Sequence, residues 1–252
     1  MTTTPPVATI AGKDQSRGKP RREETPLHEK AYAELRRALI AGRFQPGQVI
    51  TLRRVAAMLG TSPMPVREAL RRLTAEGALV FGPNRSVRVP LITVAGYAEV
   101  YEVRIALEGL AAEKAAGRID SSEIDRLEVV NTEFRAAAHR QDAETYLELN
   151  QDFHLSIYRA AGSDMLVDMI EGLWLRVGPI LHYLFRDVDL VTAAVETHTP
   201  ILEALRRHDG PAAREAVAND IHHAATHLTD WLLPKDESEK AATAGNGGIG
   251  AS

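Results

Sequence analysis

The chain has 252 residues, enough for two domains, and its 44% hydrophobic and 25% charged content is that of a globular protein rather than a disordered or fibrous one. It has no cysteine, which excludes a disulfide framework, a thiolate metal site and a cysteine nucleophile. No apolar run approaches bilayer-spanning length and the first residues lack the apolar core of a signal peptide, so a cytoplasmic protein with no membrane partner is expected.

The net charge of −4 conceals a division along the chain. Residues 1–92 carry 16 Lys and Arg against 7 Asp and Glu, whereas residues 93–252 carry 14 against 27. A basic head on an acidic body suits one domain that meets a polyanion and another that repels it.

Residues 1–25 mix Thr, Pro, Gly and charge without periodicity and are expected to be a disordered tail. A first helix is expected over 27–42, followed by the turn FQPGQ. The stretch TLRRVAAMLGTSPMPVREALRRL, residues 51–73, then holds two apolar-periodic segments around a Gly-Thr-Ser break. Gly60 suits the left-handed residue that ends a helix, and Ser62 can cap the next. The second helix should begin near Met64 or Pro65, where proline costs nothing in a first turn. Val66, Ala69, Leu70 and Leu73 form its buried stripe, leaving Arg67, Arg71 and Arg72 on or beside the open face. Residues 79–81 and 87–89 are β-prone runs around GPNRS, which makes a hairpin wing with Arg85 at its tip and Arg88 on the return strand. Helix, turn, helix and basic wing over 26–92 read as a winged helix-turn-helix that places residues 64–74 in the major groove of double-stranded DNA.

These pieces resemble the DNA-binding domain of the GntR family of bacterial transcription regulators, through LHEKAYAELRRALIAGRFQPGQVI, LRRVAAMLG and PVREALRRLTAEGALV over residues 27–91. The resemblance implies DNA contacts by Arg53, Ser62, Met64, Arg67 and Arg85. It also shows two departures: Pro63 stands where the family usually has Arg, and Ser86 where a wing glycine is common. Losing a guanidinium that pairs with guanine implies a different operator or weaker base readout, with phosphate contacts kept.

Residues 90–93 form a hinge, and the domain over 93–233 is helical almost throughout. Breaks near 117–121, 141–142, 162–163, 187–189 and 209–211 give roughly six helices, so the fold class is mainly α, a winged helix followed by an antiparallel all-helical bundle. Residues 234–252 are expected to be a flexible tail.

Eight of the nine histidines follow residue 138. Asn150 and His154 share a helix face at i, i+4, and His198 with Asp220 or His223 can close a shell around one ion from neighbouring helices. VYEVRIALEGLAAEKAA, NQDFHLSIYRAAG and ETHTPILEALRRHDGPAAREAV are similar to the ligand-sensing FCD domain of the FadR-type branch of that family. That resemblance implies a divalent-metal site at Asn150, His154, His198 and Asp220, with His223 as an alternate. Here Asn150 replaces a usual carboxylate and Asp220 a usual histidine. Two imidazoles, one carboxylate and a weak amide ligand could hold Zn²⁺, Mn²⁺, Ni²⁺ or Fe²⁺ with open positions.

A small carboxylate effector would complete such a shell, with Arg104 and Arg176 as further anion contacts. Arg104 can equally form a buried ion pair with Glu108 at i+4. The reading is a homodimeric regulator, a repressor by default, that presents two winged helices to a near-palindromic operator. Two rival readings stay open: a metal-dependent hydrolase using His154, His198 and Asp220 to activate water, and an architectural DNA-binding protein without an effector.

Overall fold

The computed structural model describes the backbone of residues 26–82, 86–181, 183 and 188–245. The proposed tail 1–25 and the wing-tip Arg85 lie outside the described residues. The amino-terminal part comprises α1 (Leu27–Ile40), β1 (Val49–Ile50), α2 (Leu52–Met58), α3 (Pro63–Ala75), β2 (Val80–Phe81) and β3 (Val87–Arg88). The second part comprises α4 (Val94–Ala116), α5 (Ser121–His139), α6 (Ala143–Ala160), α7 (Asp164–Leu181), α8 (Val188–Arg206) and α9 (Gly210–Gly245).

In the head, Thr51 caps α2 by accepting the Arg54 amide, and Gly60 adopts φ +59 between α2 and α3, where a side chain would be strained. Val66, Ala69, Leu70 and Leu73 are the buried stripe of α3. This helix starts one residue before the expected Met64, because both Pro63 and Pro65 fit a first turn whose amides have no helical partner. Ser62 occupies the N-cap position without a side-chain cap bond, which leaves its hydroxyl outward. The wing is three-stranded: β3 pairs antiparallel with β2 and also with β1, in the order β1-β3-β2. The turn after α1 thus returns the chain as a third strand, closed by the Gly47 amide donating to Val89 O.

In the second part, side-chain caps begin four helices, Thr93 on the Gly96 amide for α4, Asp120 on Glu123 for α5, Asp142 on Thr145 for α6 and Asp209 on Ala212 for α9. Helix α4 packs against α9, α6 and α7, and α5 against α6 and α8, so a single apolar core forms between them. Helix α9 continues to Gly245, beyond the point where a flexible tail was expected. Residues 235–243, KDESEKAAT, are dominated by good helix formers, and their polarity fits a helix as well as a tail.

The two parts meet where α1 lies on α7. Gly178 makes this approach feasible: a Cβ there would stand 2.5 Å from both the Leu39 and the Ile40 carbonyl oxygens. Around it Arg36 of α1 pairs with Glu171 of α7, Glu171 also accepts from Arg159 at 3.0 Å, and Arg43 pairs with Glu144 at 3.1 Å and with Glu148. Gly178→Ala should therefore force α1 from α7 and lower stability by about 1–3 kcal/mol in denaturant unfolding. Gly172→Ala, on the same helix with nothing within 4 Å, should be neutral or slightly stabilising; equal loss in both variants would show that the close approach is unimportant.

Candidate functional site

The exposed face of α2 and α3 carries the cations. Arg53, Arg54 and Arg67 are exposed and, among the described residues, make no ion pair. Met64 is 68% exposed at the front of α3, beside the exposed Ser62. Arg71 is also exposed but tied to Glu68 at 2.7 Å on the same face, so meeting a phosphate requires exchanging one acceptor for another. Arg72 turns the other way: its guanidinium lies 3.8 Å over the Tyr32 ring of α1 and pairs with Glu76 and Glu29, so it braces α3 on α1. The Arg88 side chain folds back against Gly82 at the base of the wing, with Nε buried and without a partner among the described residues.

In the helical domain, α6, α8 and α9 bring His154, His198 and Asp220 together, their candidate ligand atoms all within 4.8 Å of one another. His154 Nε2 is 3.3 Å from Asp220 Oδ2, and His198 Nε2 is 4.0 Å from Asp220 Oδ1. His198 is held as a plate between Phe153 and Phe134, stacked at centroid distances of 4.1 and 4.5 Å. Thr197 donates to Asp220 Oδ1 at 2.5 Å, fixing the carboxylate. The cavity they face has a volume of about 40 Å³ and is also lined by Arg104, Asn150, Trp174, His223 and His227.

Burial, reinforced by the neighbouring His154, pushes His198 down to about 3, so its ring is neutral near pH 7. Burial alone would raise Asp220, but the neighbouring His154, helped by His198 and Thr197, overrides it and holds the carboxyl well below the usual range. The site thus presents one anionic oxygen pair and two ring nitrogens to one point, a donor set that fits a divalent cation of borderline softness. Two further buried nitrogens on the cavity wall, Trp174 Nε1 and His223 Nε2, have no hydrogen-bond partner among the described residues. Orphaned polar atoms of this kind point to a ligand with polar groups of its own.

The two arginines assigned to the effector separate. Arg104 lines the cavity, 5.4 Å from the Trp174 ring centroid, but spends Nε and Nη2 on Glu108 at 2.6 and 3.4 Å. Arg176 is a correction: it is exposed in the cleft between the domains, with Gly77, Pro90–Thr93 neighbours and Pro179. Trp174 points α7 at the cavity, and two residues further along a helix is the opposite side. Glu108 is the i+4 partner expected for Arg104, whereas Tyr158, Asn131 and Trp174 join the site without being expected. Tyr158 stands at i+4 from His154 and was legible by spacing, whereas Asn131 comes from another helix and left no local signal.

Comparison with known proteins agrees with this architecture. Residues 27–89 match the family described as bacterial regulatory proteins, gntR family, and residues 99–223 match the FCD domain. The HTH-type transcriptional regulator McbR of Escherichia coli is 30% identical over 187 residues, which span 73% of this chain and 85% of McbR. The chain belongs to the gntR family of bacterial regulatory proteins. A probable D-xylose utilization operon transcriptional repressor of Paenarthrobacter nicotinovorans is 34% identical over 74% of this chain and 80% of its own length. The solved structure of E. coli McbR/YncC superposes with a TM-score of 0.78 at 28% identity, covering 82% of this chain and 99% of that one.

This gntR-family protein is accordingly a transcriptional regulator with a helix-turn-helix head and an FCD body, and its relatives are regulators rather than enzymes. Among the described residues, no helix is long and apolar enough to cross a membrane. On a duplex selected from random sequence by the wild-type protein, Arg67→Ala should weaken binding at least about tenfold in a gel-shift titration, from loss of a contact worth about 1–3 kcal/mol. Arg72→Ala should leave the salt slope unchanged, because its guanidinium faces α1; the reverse ranking would place the DNA on another face.

Proposed function

We propose that this regulator is a repressor controlled by a small carboxylate effector that binds in the helical domain through a divalent metal at His154, His198 and Asp220, with Asn150 as the weak fourth ligand. The observation that carries the reading is the convergence of three ligand atoms from three helices within 4.8 Å at a cavity. A bound Zn²⁺, Mn²⁺, Ni²⁺ or Fe²⁺ would supply a Lewis-acidic point to which carboxylate oxygens coordinate. The chain's own residues support the rest: Trp174 offers an indole N–H without a partner among the described residues, and Arg104 keeps a positive charge on the wall although Glu108 balances it.

A cavity of about 40 Å³ accommodates little more than an ion and water-sized ligands, far below the roughly 300 Å³ at which ordinary metabolite sites begin. A larger effector must displace a wall. Trp174 is the wall that belongs to α7, the helix on which α1 of the head rests, so displacing it biases the placement of the reader. The effector controls DNA binding only to the extent that it binds the two placements unequally.

Two heads are needed to read a near-palindromic operator, so the active species is a homodimer. Helix α4 offers a face for it: Val103 is 45% and Leu110 38% exposed, with Ala106 also exposed between them. Elemental analysis of the wild type beside His154→Ala decides the metal. About one equivalent in the wild type and little in the variant is expected, and equal content in both would remove the proposed site.

A further inference from the structure

We propose that Tyr158 and Glu108 are positioning residues that fix the proton of His154 on Nδ1 and so present its Nε2 to the cavity as a ligand atom. The inference deepens the metal reading above and rests on it for its purpose, but the proton position is measurable by itself. Tyr158 is fully buried on α6, one turn after His154, and Glu108 is fully buried on α4. Tyr158 Oη lies 2.7 Å from Glu108 Oε2 and 3.2 Å from His154 Nδ1. A phenol has one proton. Glu108 accepts only, carries the charge and is nearer, so the Tyr158 proton goes to it.

Tyr158 Oη then faces His154 with its lone pair, and the hydrogen bond at 3.2 Å is completed by a proton on Nδ1. Glu108 is fixed in turn by two bonds from Arg104, which anchors the sequence Arg104, Glu108, Tyr158, His154 from α4 to α6. Nε2 of His154 is left aimed at Asp220 Oδ2, 3.3 Å away. A ring nitrogen with a lone pair beside a carboxylate is favourable only with a proton or a cation between them.

His198 repeats the device with a different acceptor. Its Nδ1 is 3.2 Å from Asn131 Oδ1, a carbonyl oxygen that can only accept, so Nδ1 carries the proton and Nε2 turns toward Asp220. Both histidines are thereby set in the same tautomer by buried partners outside the ligand set, the arrangement by which outer groups orient metal-binding imidazoles.

The test uses the full-length protein labelled with ¹⁵N-histidine, with His154 assigned by its loss in His154→Ala. Long-range ¹H–¹⁵N correlation should show a proton on Nδ1 of His154 in the wild type. A ring protonated on Nε2 alone would overturn the proposal whether or not the protein binds metal. In Tyr158→Phe, which keeps the ring and removes the acceptor, the His154 signals should shift toward the Nε2–H form while those of His198 stay in place. Zinc affinity, read by competition with a chromophoric chelator, should fall about 10–100-fold. Unchanged zinc affinity in a folded Tyr158→Phe would also overturn it, and if that variant fails to fold the wild-type spectrum alone decides. Absence of zinc binding by the wild type would instead remove the metal reading, with the tautomer still judged by its spectrum.

Discussion

The close approach of α1 to α7 is the contact through which head and body become one machine. Two helices can lie this near only where one lacks a side chain, and Gly178 supplies that gap against the last carbonyls of α1. Flanking it, Arg36 and Arg159 converge on Glu171, so the same helix is held by charge as well as by shape. Packed interfaces of this kind switch between discrete arrangements rather than deforming smoothly, which makes α7 a natural carrier of a signal from the cavity wall at Trp174 to the seat of α3 on α1.

Inside the helical domain the costly element is the buried polar chain from Arg104 to Asn131. Arg104 and Glu108 are 6% and 0% exposed, and a buried ion pair seldom repays the desolvation of its two charges. What it secures is orientation. Glu108 holds Tyr158, Tyr158 holds His154, and Phe134 with Phe153 clamp His198, so that ring nitrogens and a carboxylate from three helices meet at one point. The head shows the opposite economy: Arg53, Arg54 and Arg67 stay exposed and outside any ion pair among the described residues, ready for a polyanion, whereas Arg72 is consumed in bracing α3.

Local patterns carried most of the architecture. The stripe Val66, Ala69, Leu70 and Leu73, the left-handed Gly60 and four of the five expected breaks between the bundle helices follow from spacing and backbone chemistry and are seen in place, whereas α8 already begins at Val188, inside the break expected near 187–189. Features set by tertiary contact were not legible. Strand β1 exists because β3 offers it a partner, Arg176 leaves the cavity because Trp174 occupies it, and Asn131 reaches His198 across 67 positions of chain. The helical continuation of α9 was obscured by a polar composition that fits either a helix or a tail.

The proposed effector control runs from what binds beside Trp174 to α1. Hydrogen–deuterium exchange of the zinc-loaded full-length protein, compared with and without a small carboxylate that raises its melting temperature, tests this path. Altered exchange is expected across residues 36–42 of the head together with α6 and α8. A change confined to the helices around His154 and His198, with residues 36–42 exchanging identically in both conditions, would contradict it.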